Sequence, residues 1–179
     1  MVGDRVAIRT YRSDHARAVW EAIEESRESL AAWIPDIAQR RSVAEVRGGL
    51  EILEHARLRA ERVLFGIWRR RDGRFLGEVG LHEVNRAAAT AVVGYWLRSS
   101  ARSHGFIDEA LRLLHAYAAR ELGVRTLQAH VGIENLASRR VAERNGYRLT
   151  GERAADPRWD GITRTMLVYT RQFNPDGSH

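Results

Sequence analysis

Residues 92–110 constrain this chain more than any other stretch. Val92-Val-Gly-Tyr-Trp-Leu97 is β-branched and aromatic, the following turn is small, polar and basic, and a helical pattern sets in near Gly105. The first turn of a helix presents unpaired N–H groups and the positive end of the helix dipole, so it can hold an anionic phosphate without a metal. Arg102, Ser103, His104 and Gly105 supply a positive charge, small side chains and a pliable backbone at the point where a phosphate would approach. The same residues are also readable as an ordinary connection between a strand and a helix.

A second segment narrows the reading. Asn135-Leu-Ala-Ser138 opens a short helix that runs through Glu143 and Arg144 and stops at Asn145-Gly146 before Tyr147 and another strand. With both segments in this order, the chain resembles the GNAT superfamily of N-acetyltransferases, which take acetyl groups from acetyl-CoA. Gly94-Tyr95-Trp96-Leu97 followed by Arg102-x-x-Gly105 resembles the pyrophosphate loop R/Q-x-x-G-x-G/A. Asn135-x-x-Ser138 resembles the N-x-x-S helix, and Glu143-Arg-Asn-Gly146-Tyr147 resembles the E-K-x-G-F ending. Upstream, Glu25-Ser-Arg-Glu-Ser-Leu-Ala-Ala-Trp33-Ile-Pro35 resembles the N-R-E-H-L-x-x-W-L-P segment of the RimJ/RimL branch, which acetylates protein N-terminal amines.

The resemblance implies a single-domain α+β fold over residues 1–173: a mixed, mainly antiparallel sheet flanked by helices, with an acyl-CoA site at the strand–loop–helix unit. It implies cofactor contacts from Trp96, Leu97, Arg98, Arg102, Ser103, His104, Gly105, Phe106 and Ile107, and from Asn135, Ser138 and Arg144. Asn135 and Ser138 would lie along the pantetheine arm, with Ser138 the candidate to protonate the departing sulfur. Asn135-x-x-Ser138 is also simply a good helix cap. On the acceptor side it points to Trp33, Tyr95 and Trp159, with a protein amine, such as a ribosomal protein N-terminus, as partner and a monomer or homodimer as the working form.

Composition sets limits around that reading. A chain of 179 residues, 44% hydrophobic, is the size of one domain and can bury a full core. Cys is absent, which removes disulfides, thiolate metal sites and a cysteine nucleophile, and the resemblance implies acetyl-CoA as co-substrate and no metal. Apolar runs fall well short of the roughly 18 residues of a membrane span, and with no basic-then-apolar leader the expectation is a cytoplasmic protein without membrane association. The net charge of +6 allows an anionic partner. Its Arg residues are spread among acidic neighbours rather than clustered with aromatics, so direct nucleic-acid binding is not expected.

In chain order, a strand is expected over residues 5–11, a helix capped by Ser13 and Asp14 and carrying Ala16, Val19, Trp20 and Ile23, and a second helix over 42–61 with Val43, Val46, Leu50, Leu53 and Leu58 as its buried stripe. Strands over 62–70 and 75–84 flank the hairpin signal Arg71-Asp72-Gly73, and a third spans 90–98. A helix over 105–122, a strand over 126–131, a helix over 136–144 and strands over 147–150 and 162–170 follow. Residues 153–160 read as a loop and 174–179 as a disordered tail.

The least familiar part is the base. Attack of an amine on a thioester requires a neutral amine and donors for the carbonyl oxygen. Relatives often carry an acid where this chain has Val92, and another where it has Thr150. On the preceding strand Glu78 and His82 share a face, since side chains four apart in a strand point the same way, and either could take the proton directly or through water. A rim position without chemistry is the other reading of both. In the phosphate loop, Ile107 occupies a position that is small in relatives and Asp108 one where Thr is frequent; Asp108 would compete with a phosphate for the helix N–H groups. Three functions follow: acetylation of a protein or peptide N-terminal amine, acetylation of a small amine such as an antibiotic, a polyamine or an aminoacyl nucleotide, and acyl-CoA binding without catalysis.

Overall fold

The structure, a computed structural model, describes residues 1–56, 62–154 and 165–173. Leu58, Trp159, the segment 155–164 and the expected tail 174–179 lie outside the described residues.

Seven strands form one sheet: β1 Val6–Thr10, β2 Val63–Arg69, β3 Phe75–Asn85, β4 Thr90–Leu97, β5 Thr126–Gly132, β6 Arg148–Ala154 and β7 Thr165–Gln172, in the spatial order β1-β2-β3-β4-β5-β7-β6. All neighbours are antiparallel except β4 and β5. Five helices are described: α1 Ala16–Ala31, α2 Pro35–Ala38, α3 Val43–Ala56, α4 Phe106–Leu122 and α5 Leu136–Arg144. The sequence pattern locates all of these but the single turn α2. It also differs at β6, where Arg153 and Ala154, expected in a loop, extend the strand because they pair with Met166 and Thr165 of β7.

The two-residue period of the strands feeds two cores. In β2, Val63, Phe65 and Ile67 face one cluster and Leu64 and Trp68 the other. The first cluster packs the sheet against α4, whose Ile107, Ala110, Leu111, Leu114 and Ala118 recur at helical spacing. The second packs the opposite face against α1 and α3 through Val19, Ile23, Leu30, Val46 and Leu50. Helices on both faces explain why six of the seven β2 residues are buried.

One departure from regular pairing creates room for a ligand. The β4–β5 ladder contains only Thr90↔Thr126, Ala91↔Leu127 and Val92↔Gln128. Beyond Val92 the two strands part, while β5 keeps its partner β7 along its whole length. The divergence opens beside Val93–Leu97, directly ahead of the loop that leads into α4.

Candidate active site

The connection from β4 to α4 is held in place by α1. Ser99–Ala101 form a single 3₁₀ turn, and Glu25, Ser26 and Ser29, on one face of α1, reach across to it. Glu25 accepts from the Ser100 N–H (2.8 Å) and from Nε of Arg98 (2.8 Å), with a second contact to Arg98 Nη2. Ser26 Oγ accepts from the Ser99 N–H (2.9 Å), and Ser29 Oγ from Arg102 Nη2 (2.6 Å). Hydrogen bonding from the Arg98 guanidinium, against a smaller opposing effect of burial, holds the Glu25 carboxyl at about 2. Arg98 is itself buried and spends Nη1 on the Phe75 carbonyl, so its charge is directed into the fold. Arg102 is exposed and curls back on Leu97 O as well as Ser29.

The loop then turns sharply. Ser103 (φ 62°) and Gly105 (φ 73°) both adopt the left-handed region, which a glycine enters at no steric cost and a serine does not. Among the described residues, the N–H groups of Ser103, His104, Gly105 and Phe106 have no protein acceptor, which is the condition an anion site requires. His104 turns its ring back to the Arg102 carbonyl (2.6 Å) and stacks on Phe106. Phe106 and Ile107 are buried in the first core. Asp108 does not compete for the loop N–H groups: its carboxylate is taken by Arg144 (3.1 Å) and the Asn145 amide (2.7 Å) at the end of α5.

Across the gap between β4 and β5 stands the start of α5. Asn135 Oδ1 caps the helix by accepting the Ser138 N–H (3.1 Å). The Ser138 hydroxyl remains available, and it lies 3.0 Å from the Tyr95 hydroxyl, which also reaches Ser138 O at 3.1 Å. Burial pushes the Tyr95 phenol up to about 12, against a smaller effect of its bond to Ser138, so it is protonated at neutral pH. Tyr95, on the α4 face of β4, is therefore a partner of Ser138 in this structure. Trp96 points to the other face and is buried in the second core, 6% exposed.

On that second face lies a cavity of ≈ 430 Å³ bounded by α1, α2, α3, β3 and β4. Glu78 and His82 both line it. Glu78 accepts from the Tyr11 hydroxyl (2.8 Å) and its pKa is raised by burial, opposed by that bond and by Arg62. Burial, reinforced by Arg62, depresses His82 to about 4, so it is a neutral imidazole at pH 7. A Cβ placed on Gly94 would come within 2.9 Å of His82 Nε2. The ring thus rests on β4 two residues beyond the end of the β4–β5 ladder. Trp33 closes another side, its ring so near Gly132 that a Cβ there would come within 2.7 Å. At the far rim Arg153 donates to His130 Nδ1 (2.9 Å). Trp159 lies outside the described residues.

The segment from Glu25 to Pro35 carried the branch resemblance, but the contacts of the α1 face and of Tyr11 escaped sequence reasoning. Glu25, Ser26 and Ser29 carried a signal, polar residues at i, i+1 and i+4 on an otherwise amphipathic helix, but nothing local says what they meet. Among the described residues, no group of three or more His, Cys, Asp or Glu could hold a metal, and no helix is long and apolar enough to cross a membrane.

A parted pair of parallel strands, a glycine turn whose N–H groups have no protein acceptor among the described residues and a serine facing the gap come together at this end of β4. The chain belongs to the GNAT acetyltransferase family: the model of the acetyltransferase (GNAT) domain matches residues 5–148. It is 33% identical over 139 residues, 77% of this chain and 72% of the relative, to a Bacillus subtilis protein named "Probable N-acetyltransferase YjcK". It is 30% identical over 81 residues, 45% of each chain, to the ribosomal-protein-serine acetyltransferase of Escherichia coli. Among solved structures, the ribosomal alpha-N-protein acetyltransferase RimL in complex with coenzyme A superposes with a TM-score of 0.88 over 98% of both chains at 20% identity. The protein is an N-acetyltransferase that uses acetyl-CoA.

Proposed function

We propose that this acetyltransferase acts on a protein or peptide α-amine, and that the amine enters from the cavity on the α1–α3 side. The observation that carries the entry route is the seat of His82, whose Nε2 rests against Gly94 where β4 leaves β5. An amine arriving from the cavity meets β4 there, and a thioester lying in the gap meets it from the other side. The cavity also offers both kinds of partner that a chain terminus needs. Glu78, Asp36 and Glu83 suit the ammonium, and Arg40, Arg62 and Arg153 can donate to peptide carbonyls. Relatives named for ribosomal-protein acetylation support the same acceptor class.

The reaction forms a C–N bond and breaks the C–S bond of the thioester. The amine must lose its proton before attack, and His82, neutral at pH 7, can take it through water to Glu78 or to solvent. Backbone N–H groups of β4 beyond Val92 stand where the carbonyl oxygen gains charge. The thiolate leaves with the proton of Ser138, and the proton that the nitrogen sheds as the amide forms returns through water to the Ser138 hydroxyl, which Tyr95 orients across their 3.0 Å contact. Trp33 bounds the acceptor side, and Arg102, Ser103, His104 and Gly105 receive the pyrophosphate.

The test is CoA release with acetyl-CoA and two panels of acceptors: short peptides with free N-termini, and small amines including polyamines and aminoacyl nucleotides. Turnover on peptides, with kcat/KM at least about tenfold above any small amine, is the expected result. The reverse preference would overturn the acceptor assignment while leaving the family activity intact.

A further inference from the structure

We infer that Arg5, immediately before β1, is a positioning residue for the acetyl-CoA pyrophosphate: it grips the carbonyls of the β4–α4 loop and so aims the N–H groups of that loop at the phosphates. The inference rests on the reading of residues 102–107 as the pyrophosphate site.

The guanidinium makes a fork on the loop. Nη1 donates to His104 O (2.9 Å) and Nη2 to Gly105 O (3.3 Å). Both peptides are trans, and in a planar trans peptide the C=O and the following N–H point in opposite directions. Holding the oxygens of residues 104 and 105 on the Arg5 side therefore turns the N–H groups of Gly105 and Phe106 to the other side. Those are two of the four loop N–H groups that have no protein acceptor among the described residues. The left-handed backbone of Gly105 brings its own carbonyl into reach, and a Cβ there would come within 3.2 Å of Arg5 Nη2.

The arginine is in turn fixed by its surroundings. Glu109 on α4, whose side chain is 5% exposed, accepts from Arg5 Nε (3.2 Å) and from the backbone N–H groups of Arg5 (2.8 Å) and Val6 (3.1 Å). The guanidinium also lies 5.3 Å over the Phe106 ring. With Nε on Glu109 and both terminal nitrogens on the loop, Arg5 ties together β1, α4 and the turn between β4 and α4. Arginine suits this job because its planar fork can serve three acceptors at fixed angles, whereas lysine is a point charge at the end of a flexible stem. Lysine at this position keeps a cation for Glu109 and loses the double grip.

Arg5→Lys and Arg5→Ala separate the two roles. Titration calorimetry with CoA, the melting temperature of the unliganded protein, and amide NMR shifts of Gly105 and Phe106 are measured for each. In the wild type, CoA should move both amide signals; if it moves neither, the loop is not the pyrophosphate site, and that reading fails on its own. Given those shifts, Arg5→Lys is expected to raise the Kd of CoA about tenfold or more, the loss of a charge-assisted pair of hydrogen bonds, while its melting temperature stays near the wild-type value. Its Gly105 and Phe106 amides should shift before any ligand is added. Dephospho-CoA, which retains the pyrophosphate, should lose affinity by the same factor. Wild-type CoA affinity in Arg5→Lys would overturn the inference, and so would a loss of affinity seen only in Arg5→Ala in step with a large fall in melting temperature. A loss confined to CoA and absent for dephospho-CoA would also overturn it, since it would place Arg5 at the 3′-phosphate.

Discussion

Ser138 has two jobs that can be pulled apart. Its backbone N–H is the group capped by Asn135, while its hydroxyl faces Tyr95. Ser138→Ala keeps the cap and removes the hydroxyl, so kcat should fall by about ten- to a hundredfold with little change in the KM for acetyl-CoA, the pattern of a group that acts mainly in the transition state. Tyr95→Phe should show a smaller fall of the same kind, and equal turnover in both variants would reduce Ser138 to a helix cap. His82 makes a separate prediction about pH. The ordinary imidazole value of 6.5 suggests an ionisation near neutrality, but burial and Arg62 move it to about 4. Activity should therefore hold as pH falls through 6.5 and be lost near 4, apart from the titration of the acceptor itself. His82→Gln should lower kcat/KM by about a hundredfold or more if the imidazole is the base, and should abolish that acid limb. A loss below tenfold at every pH would mean that positioning and backbone donors suffice.

Helix α1 acts beyond its own packing. One face buries Val19, Ile23 and Leu30 against the second core, and the neighbouring Glu25, Ser26 and Ser29 fix residues 98–102. Glu25→Gln removes the charge opposite Arg98, whose side chain is 8% exposed. A buried charge without its partner costs about 3–5 kcal/mol, and the partial exposure of Glu25 reduces the expectation to about 1–3 kcal/mol. Denaturant unfolding should register that loss. The KM for acetyl-CoA should rise as well, because the displaced segment carries Arg102. Unchanged KM with reduced stability would confine α1 to the core.

For the whole molecule, binding of CoA to the native state alone should raise the melting temperature, by an amount equivalent to about 2.7 kcal/mol at a hundredfold excess over Kd. Arg102→Ala should reduce that shift. Stability should also fall with acid in two windows. The folded-state pKa of His82 is depressed from 6.5 to about 4, so the unfolded chain takes up the proton first and stability declines between those values. Glu25 is depressed from 4.5 to about 2; its contribution is complete above the unfolded value and disappears as pH falls through the folded one. Glu78, whose pKa is raised, acts in the opposite sense and softens the decline. Melting curves from pH 7 to pH 2 should show both windows, with His82→Gln reducing the upper one, to which His15 and His130, also lowered by burial, contribute, and Glu25→Gln reducing the lower one, to which Glu109 contributes.

The local code of this sequence determined the elements. Alternation of apolar residues placed the strands, helical spacing placed α1, α3, α4 and α5, and Asn135-x-x-Ser138 together with Arg102-x-x-Gly105 marked the family and its cofactor. These features are legible because they depend on residues within a turn or two of one another. What the tertiary structure decided depends on residues far apart in the chain. The β4–β5 ladder stops after three pairs, Asp108 finds Arg144 instead of the loop N–H groups, and Arg98 turns inward to Glu25. His82 shows the reason most directly. Its chemistry is set by desolvation and by the field of Arg62, and both exist only once β2, β3 and β4 have paired and the helices α1, α2 and α3 have closed over that face.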